Sequence, residues 1–327
     1  MPNNPNRSQI HIDRPLTDVS IAYTQDVSNF VNEKVFPVIN VGKQSDKYFT
    51  YDKGDALRVH TDVRNAGSES AGAGFDLNTE NFFCDTFALH TEIADEDRDN
   101  ADDPLDLDTD STEFLTHDIL MKKEMDFFAK YFKAGVWEND FTGVGATPGA
   151  GEFLQWDLTG SEPVADVKAW VRAINASTGA SRKNMTLTIS PDVWDVLAEH
   201  ADIIDRIKHT ETGILTEDIV AQVMGIKQIL VAEGVVNSAA KGQTEAVDYM
   251  ATPKSALLTY APAKAGKKRP SAGYTFKWRN YNKGDSIAVR KFYIEVRESD
   301  RIEVKCAYDQ KVVATDCGLF AASVIAG

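Results

Sequence analysis

The sequence predicts an α+β fold in which a modest α/β body carries long extensions. Three observations predict it. Runs rich in aromatic and β-branched residues occur near the start and again at the end of the chain, a single long helix is expected over 110–134, and helices and strands alternate between 163 and 265. Mixed patterns of this kind favour separate helical and β-rich regions over a repeating βαβ sheet.

Composition excludes several classes of protein. The chain has 327 residues, of which 43% are hydrophobic, so wholesale disorder is excluded. Its 35 basic and 50 acidic residues give a net charge of −15, which argues against a surface made to grip phosphates. Three cysteines without a CxxC pair do not form a disulfide framework, so we expect buried thiols in a reducing cytosol.

Targeting signals are also missing from the pattern. The first residues, MPNNPNRSQIHIDRPL, contain no apolar core of signal-peptide length, and no apolar run reaches the ~20 residues needed to span a bilayer. We therefore expect a soluble protein that is made in a cytoplasm and has no membrane partner.

The first β-rich region predicts a projecting hairpin. Residues 46–55 and 81–93 are predicted strands, and Phe83, Phe87 and Leu89 alternate on one face of the second. Between them lies TDVRNAGSESAGAGFD, which cannot bury anything by itself. Because an isolated two-stranded hairpin is marginal in water, something outside it must cover it.

The long helix follows an acidic segment. Asp110 is the predicted N-cap, with Glu113 as the reciprocal residue of a capping box, and Gly135 marks the end. Helical spacing predicts an apolar face made of Phe114, Met121, Met125, Phe128 and Phe132, opposite Lys123, Asp126 and Lys130.

The middle of the chain predicts the α/β body. Residues 137–163 are predicted to be irregular, including the glycine-rich Gly143–Gly151, which lacks the Lys-Ser/Thr of a phosphate loop. Pro163 then begins a helix, and Ser190 caps the next. The last sixty residues predict strands joined by tight turns.

No catalytic constellation is found, so we predict no enzyme activity and no cofactor. The six histidines include no HExxH motif. Asp95, Asp97 and Asp99 occupy the first, third and fifth positions of a calcium-loop pattern and are the candidate metal ligands, although the sixth position is Asn100 instead of Gly. The alternative is a solvated acidic turn near the positive end of the long helix.

One basic cluster, Lys264–Pro270, stands out in an acidic chain. We expect its Lys267, Lys268 and Arg269 to pair with the acidic surface of another subunit. Projecting extensions expose apolar groups and strand edges, which is tolerable only if neighbours cover them. The pattern therefore predicts assembly.

At this point the residues resemble a known family, the major capsid proteins of tailed bacteriophages. VFPVINVGKQSDKYFTYDKGD resembles the passage from arm to extended loop, DSTEFLTHDILMKKEMDFFAKYF the spine helix, and TLTISPDVWDVLAEHADIIDRIKHT the axial domain. The resemblance implies an N-terminal arm (1–42), an extended loop (43–93), a peripheral domain (94–162, spine helix 110–134), an axial domain (163–265), return strands (266–310) and a C-terminal strand (311–327).

The resemblance also implies function. Such a protein is a structural subunit whose many copies form pentamers and hexamers of an icosahedral virion shell, assembled in the host cytoplasm around double-stranded DNA that is not bound sequence-specifically. A separate scaffolding protein, a portal and a decoration protein are the expected partners. The expected inter-subunit contacts are Tyr48, Phe49, Tyr51, Phe83, Phe87, Leu89, Lys267, Lys268 and Arg269.

Two alternatives remain at this stage. An encapsulin-like nanocompartment shell shares the fold but encloses cargo enzymes instead of a genome. An oligomeric metal-dependent enzyme would use the acidic segment 95–106. Packaged contents separate the first two, and calorimetric calcium binding tests the third.

Overall fold

The computed structural model describes residues 25–326 apart from 52, 75, 102–104, 209–214, 263–265, 267–269 and 282–286. Within this part of the chain, the strands form two larger sheets and two small two-stranded sheets. The helices include one that is much longer than the others. The arm residues 1–24 and the basic residues 267–269 lie outside it.

The α-helices are short except for α4 and α5. They are α1 (Asn32–Val35), α2 (Lys53–Ala56), α3 (Asp95–Asp99), α4 (Leu107–Tyr131), α5 (Pro163–Thr178), α6 (Pro191–Glu199), α7 (Ala201–Ile207) and α8 (Glu217–Met224). Single 3₁₀ turns occur at Val27–Asn29, Arg182–Asn184, Glu295–Arg297 and Thr315–Cys317.

Fifteen strands are found in the described residues. They are β1 (Val38–Val41), β2 (Ser45–Tyr51), β3 (Leu77–Phe83), β4 (Asp85–Ala94), β5 (Asn139–Val144), β6 (Glu152–Leu154), β7 (Met185–Ile189), β8 (Gln228–Val231), β9 (Val235–Asn237), β10 (Val247–Tyr249), β11 (Ala256–Tyr260), β12 (Gly273–Trp278), β13 (Ala288–Ile294), β14 (Ser299–Val312) and β15 (Gly318–Ala322).

The larger sheet of the α/β body has the order β6-β5-β15-β11-β7-β8. Its inner strand β7 is buried at every position, as expected for a strand covered on both faces. Helix α5 begins with Pro163 at its first turn and ends at Gly179, whose φ of 69° is the left-handed conformation of a helix C-terminus. Trp156, Trp170 and Leu187 are among the fully buried side chains of this core.

The second sheet is organised around the long strand β14. It has the order β1-β12-β14-β13, and β4 pairs with β14 over ten residues, from Ala94 opposite Ser299 to Asp85 opposite Tyr308. Helix α4 packs against this sheet through Leu115 and Ile119, which share a core with Ile93 and Val304. At its far end α4 enters a second core with Phe36, Trp137 and Phe320.

The long helix is present, but its predicted start is wrong and its predicted face is only partly right, since Phe128 and Phe132 are buried as predicted. It begins at Leu107, because the carboxylate of Asp106 accepts the N–H groups of Asp108 and Thr109 and so caps the helix earlier than Asp110 would. Its 25 residues make a rod of about 37 Å. Phe114 and Met125, predicted to lie on the apolar face, are exposed. Lys123, predicted to lie on the opposite polar face, is only 3% exposed.

Two further local predictions are wrong, the second only in part. Residues 139–144 and 152–154 are strands and not an irregular loop, and a Cβ on Gly143 would lie 2.0 Å from the backbone oxygen of Ser323. Glycine is thus required there by close packing of two backbones. Ser190 is the N-cap residue of α6 as predicted, but its hydroxyl makes no capping bond, because it donates to the carbonyl oxygen of Ser255 and accepts the Ser255 N–H.

Candidate functional site

The extended loop grows from an antiparallel pair of strands. β2 pairs with β3 from Ser45 opposite Phe83 to Tyr51 opposite Leu77. The predicted second strand, 81–93, is in fact two strands that part at Cys84, with β3 in the loop and β4 in the β14 sheet. Alternation alone could not show this break, because the apolar pattern continues across it.

The chain itself covers the inner face of the loop's base. Phe82 stacks on Phe276 with ring centroids 4.8 Å apart, and Tyr48 lies 5.6 Å from the same ring. Tyr48 also donates a hydrogen bond to Glu80 at 3.2 Å. Burial, with the neighbouring Glu80 carboxylate, raises the pKa of Tyr48. The prediction that another subunit covers Tyr48 is therefore wrong: β12 of the same subunit does so.

The outer surface of the loop carries apolar side chains that the single subunit leaves exposed. Phe49 is 59% exposed and Phe83 is 55% exposed, and farther out Val59 and Val63 are 85% and 90% exposed. Tyr51 pairs with Leu77 through its backbone, but its side chain lies outside the described set. Clusters of exposed apolar side chains of this kind mark interaction sites.

Polar contacts hold the short helix α2, which follows β2 in the extended loop. Lys53 of α2 forms an ion pair with Asp316 at 2.7 Å, and the carboxylate of Asp55 accepts the N–H of Asp76 at 3.1 Å. The hydrogen bond to Asp316 raises the pKa of Lys53. Since Lys53 is about half exposed, this ion pair is a weak and salt-sensitive link between the loop and the β15 end of the chain.

Phe87 and Leu89 belong to β4 and contact their own subunit. Phe87 stacks on Tyr308 with centroids 4.7 Å apart, and both side chains pack against the core that contains Ile302 and Val304. The pairing of β4 with β14 turns their face toward this core. We correct the expectation that they meet a neighbour.

The acidic segment does not form a calcium loop. Asp95–Asp99 is one short helix, and because successive helical residues rotate by 100°, Asp97 is turned away from Asp95 and Asp99. Asp95 accepts a hydrogen bond from Tyr293 at 2.8 Å, and Arg98 pairs with Asp108 at 3.0 Å and Asp300 at 2.8 Å. In the residues that the structure describes, no group of three or more His, Cys, Asp or Glu side chains is placed to hold a metal.

Sequence reasoning missed a buried carboxylate on α4. Glu124 is fully buried and accepts the N–H of Val31 at 2.7 Å and of Asn32 at 3.0 Å, as well as the Asn32 side-chain amide. Burial raises its pKa. These contacts fasten the start of α1, where the arm enters the body, to the middle of the long helix.

A charged cluster next to this carboxylate strengthens the junction. Lys123 and Lys277 both contact Oε1 of Glu33. Burial lowers the pKa of Lys123 to about 8 against the opposing effect of Glu33. Burial acts to raise the pKa of Glu33, but Lys123 and then Lys277 outweigh it and lower that pKa to about 2. The only sign of this junction in the sequence is the pair Lys123-Glu124 within the long helix. Charged residues there normally indicate a position exposed to solvent, so the pair was not recognised as buried.

A serine and a histidine also meet, but not as a nucleophile and base. Ser161 Oγ lies 2.9 Å from Nε2 of His200. Nδ1 of His200 accepts the N–H of Asp202, so the proton sits on Nε2 and is donated to Ser161. A general base needs the opposite tautomer. The pair therefore links the α5 and α7 regions.

Two relatives are similar to this chain over most of its length. The major capsid protein of Burkholderia phage BcepMu is 23% identical over 273 residues, which is 81% of this chain and 83% of the relative. The major capsid protein of Pseudomonas phage JBD67 is 23% identical over 317 residues, 96% of this chain and 97% of the relative. No protein-family model matches the chain.

Solved structures share the fold. A phage-related protein from Bordetella bronchiseptica superposes with a TM-score of 0.68 at 19% identity, covering 92% of this chain and 94% of the other. The capsid protein of cyanophage P-SCSP1u gives a TM-score of 0.63 at 12% identity, covering 98% and 95%. This chain has the phage major capsid fold. Its resemblance to that family is confirmed.

The encapsulin alternative shares the fold, so the two relatives, both major capsid proteins, decide among the predicted functions. A structural capsid subunit of the virion shell is confirmed over the encapsulin shell and the metal enzyme. In the part of the chain that the structure describes, no helix is both long and apolar enough to cross a bilayer.

Proposed function

We propose that copies of this chain form pentamers and hexamers of a closed icosahedral shell around double-stranded DNA. The observation that carries the proposal is the extended loop, whose outer surface presents Phe49 and Phe83 more than half exposed on a capsid fold. In a shell this surface lies on a neighbouring subunit, which removes it from water. Tyr51 and the basic residues Lys267, Lys268 and Arg269 remain proposed contacts of the same kind.

Electron microscopy of the expressed chain tests the proposal directly. We expect closed shells with five-fold vertices, either from the chain alone or with the products of neighbouring genes. A separate scaffolding protein is the expected requirement if the chain alone gives irregular assemblies. A chain that stays monomeric at high concentration under all these conditions contradicts the proposal.

We infer that the shell encloses its DNA without binding a sequence. The chain's net charge of −15 supports this, because a negative wall does not retain DNA while it enters. The structure of an assembled particle tests it through the charge of its inner surface. A strongly positive inner surface contradicts it.

We also infer that the chain has no catalytic activity and needs no cofactor. The His200 tautomer and the helical Asp95–Asp99 support this, since neither arrangement suits a nucleophile or a calcium loop.

A portal and a decoration protein are proposed partners. Particles purified from infected cells, when analysed by mass spectrometry, test for both.

A further inference from the structure

The turn between β13 and β14 presents the most exposed large apolar side chain in the described residues. Val296 is 96% exposed, at the centre of the 3₁₀ turn Glu295–Arg297. Solvent-exposed valines are common singly, but this one sits on a fixed projection. We call Glu295–Glu298 the tip.

Several contacts hold the tip in one conformation. Glu298 has a φ of 45°, which is unfavourable for a residue with a side chain. Its carbonyl accepts the N–H of Asp95 at 3.0 Å, and Arg297 pairs with Glu92. A non-glycine residue held in the left-handed region indicates that the surrounding structure imposes this shape, which is typical of functional positions.

A cavity of about 400 Å³ lies elsewhere on the same sheet, between the arm junction and α4. Its walls include Phe30, Ile119, Leu120 and Ile287, and Lys34, Lys123 and Lys277 add cationic groups. Oδ1 of Asn32, another lining residue, is buried without a hydrogen-bond partner among the described residues. The apolar walls therefore suit an apolar group, the lysines suit acidic residues beside it, and the Asn32 oxygen suits a backbone N–H donor.

The tip has this chemistry. Val296 supplies the apolar group, and Glu295 and Glu298 lie within two residues of it, while Arg297 is held in an ion pair with Glu92, which Arg301 shares. At the cavity, Lys123 and Lys277 share the Glu33 carboxylate, and Lys34 Nζ donates to the carbonyl oxygen of Ser28. The exposed valines of the extended loop fit less well, because neither has two glutamates within two residues of it: Val59 lies between Arg58 and His60, and Val63 between Asp62 and Arg64.

The tip cannot reach the cavity of its own subunit. The tip adjoins Ser299 at one end of β14, and Cys306 and Tyr308 of the same strand line the cavity. Seven to nine residues of extended strand separate them by about 23–30 Å. Only a second copy can bring a tip to a cavity, and such a contact is heterologous, so that each copy binds one neighbour and is bound by another.

We propose that the tip of one subunit inserts Val296 into the cavity of a neighbouring copy, with its glutamates beside Lys34 and Lys277. This contact rests on the proposed shell function and adds a head-to-tail link that the extended loop does not supply. A heterologous contact closes into rings or shells when its rotation permits.

Cysteine pairing in assembled particles tests the contact. Val296→Cys and Leu120→Cys are combined in a Cys306→Ala background, because Cys306 also lines the cavity. We expect oxidation to give a ladder of dimers, trimers and higher multimers on denaturing gels, since every chain carries both halves of a heterologous pair. Val296→Cys alone and the pair Val63→Cys with Leu120→Cys are matched controls and should give no ladder.

The outcomes separate this inference from the proposed function. Particles that form but give no ladder overturn the inference and leave the shell function intact, whereas a wild-type chain that never forms particles overturns both. Maleimide labelling of the single Leu120→Cys variant shows whether something other than the tip fills the cavity, because an occupied cavity protects this cysteine from the reagent. Protection in the free subunit, or in particles of the Val296→Gly variant, means that this chain's own residues or another protein fill the cavity, and overturns the inference.

A charge exchange provides a second test. Glu295→Lys should lower the yield of particles several-fold at low salt, because it places a lysine beside Lys34. Adding Lys34→Glu should restore the yield. Failure of the double variant to recover, when both single variants remain folded by circular dichroism, contradicts the proposed pairing.

Discussion

Glu124, in the middle of the long helix, accepts the backbone N–H of Val31 at 2.7 Å although the two residues are 93 positions apart. This bond and those to Asn32 give a short helix at the arm junction the acceptor that its own sequence lacks, since Val31 provides no side-chain cap. The long helix therefore holds the start of α1 in place.

The first prediction concerns this carboxylate. Glu124→Gln keeps the shape but turns one acceptor oxygen into an amide that faces N–H donors, so we expect a loss of about 2–3 kcal/mol in the free energy of unfolding. Urea denaturation measures the loss, and hydrogen exchange should show lower protection over residues 30–36. Glu113→Gln, at an exposed position of the same helix, is the control. Equal protection in both variants contradicts the role of Glu124.

The second prediction is a dependence on pH. Lys123 and Lys277 lower the pKa of Glu33 from 4.5 to about 2. As the pH falls, the unfolded chain therefore takes up a proton at Glu33 at a higher pH than the folded chain does. The contribution of Glu33 to the free energy of unfolding is complete above about pH 5 and is lost as the pH falls from 4.5 to 2. Because the Glu33 side chain is 45% exposed, we expect only about 1–2 kcal/mol.

Denaturant unfolding at pH 6 and pH 3 measures this effect. Glu33→Gln should be less stable than wild type at pH 6, and the difference should shrink at pH 3. On the alkaline side stability also rises with pH, because burial lowers the pKa of Lys123 from 10.5 to about 8 and the unfolded chain holds the extra proton across that interval. A constant difference between the two proteins from pH 3 to pH 6 contradicts the pairing.

The third prediction uses two glycines of one segment. An added Cβ at Gly143 would lie 2.0 Å from the backbone oxygen of Ser323, whereas at Gly145 the nearest atom is the flexible Gln155 side chain at 3.6 Å. Gly143→Ala should cost about 1–3 kcal/mol, and Gly145→Ala should change little. Thermal unfolding of both variants checks this. Equal melting temperatures would mean that the C-terminal segment does not pack on β5.

The fourth prediction concerns the three thiols. Burial raises the pKa of Cys84 to about 12, of Cys306 to about 11 and of Cys317 to about 12. The thiolate is the reactive form, so none of them should react with a disulfide reagent at pH 8 until the chain unfolds. Reagent kinetics with and without urea measure this. Rapid reaction of one thiol in the native protein would mean that its surroundings open.

The sequence predicted the helices of the α/β body better than the strands β5 and β6, because these helices have local start and stop signals. Pro163 and Gly179 frame α5, and Gly225, with a φ of 76°, ends α8. Apolar periodicity failed on α4, where the buried face includes Lys123 and Glu124. Their partners lie about 90 residues earlier, and a distant partner leaves no mark on local spacing.

The candidate contacts show the same limit. Tyr48 and Phe49 are adjacent aromatic residues, yet the first is 8% exposed and the second 59% exposed. Strand alternation predicts that one of them faces inward, but not that β12 of the same chain provides the cover. Phe276, which does so, is far away in the sequence.

The last prediction separates folding from assembly with a second adjacent pair. Phe82 is 4% exposed and stacks on Phe276, while Phe83 is 55% exposed. Phe82→Ser should lower the free energy of unfolding by about 3–5 kcal/mol, because it removes a buried ring and leaves a hydroxyl in its place. Phe83→Ser should leave stability within about 0.5 kcal/mol and lower the yield of particles, because the ring is expected to lie on a neighbouring subunit. Urea denaturation measures the first effect, and particle yield by sedimentation measures the second. Normal particles from Phe83→Ser, and likewise from Phe49→Ser, would mean that the outer face of the extended loop is not the surface that neighbouring subunits cover.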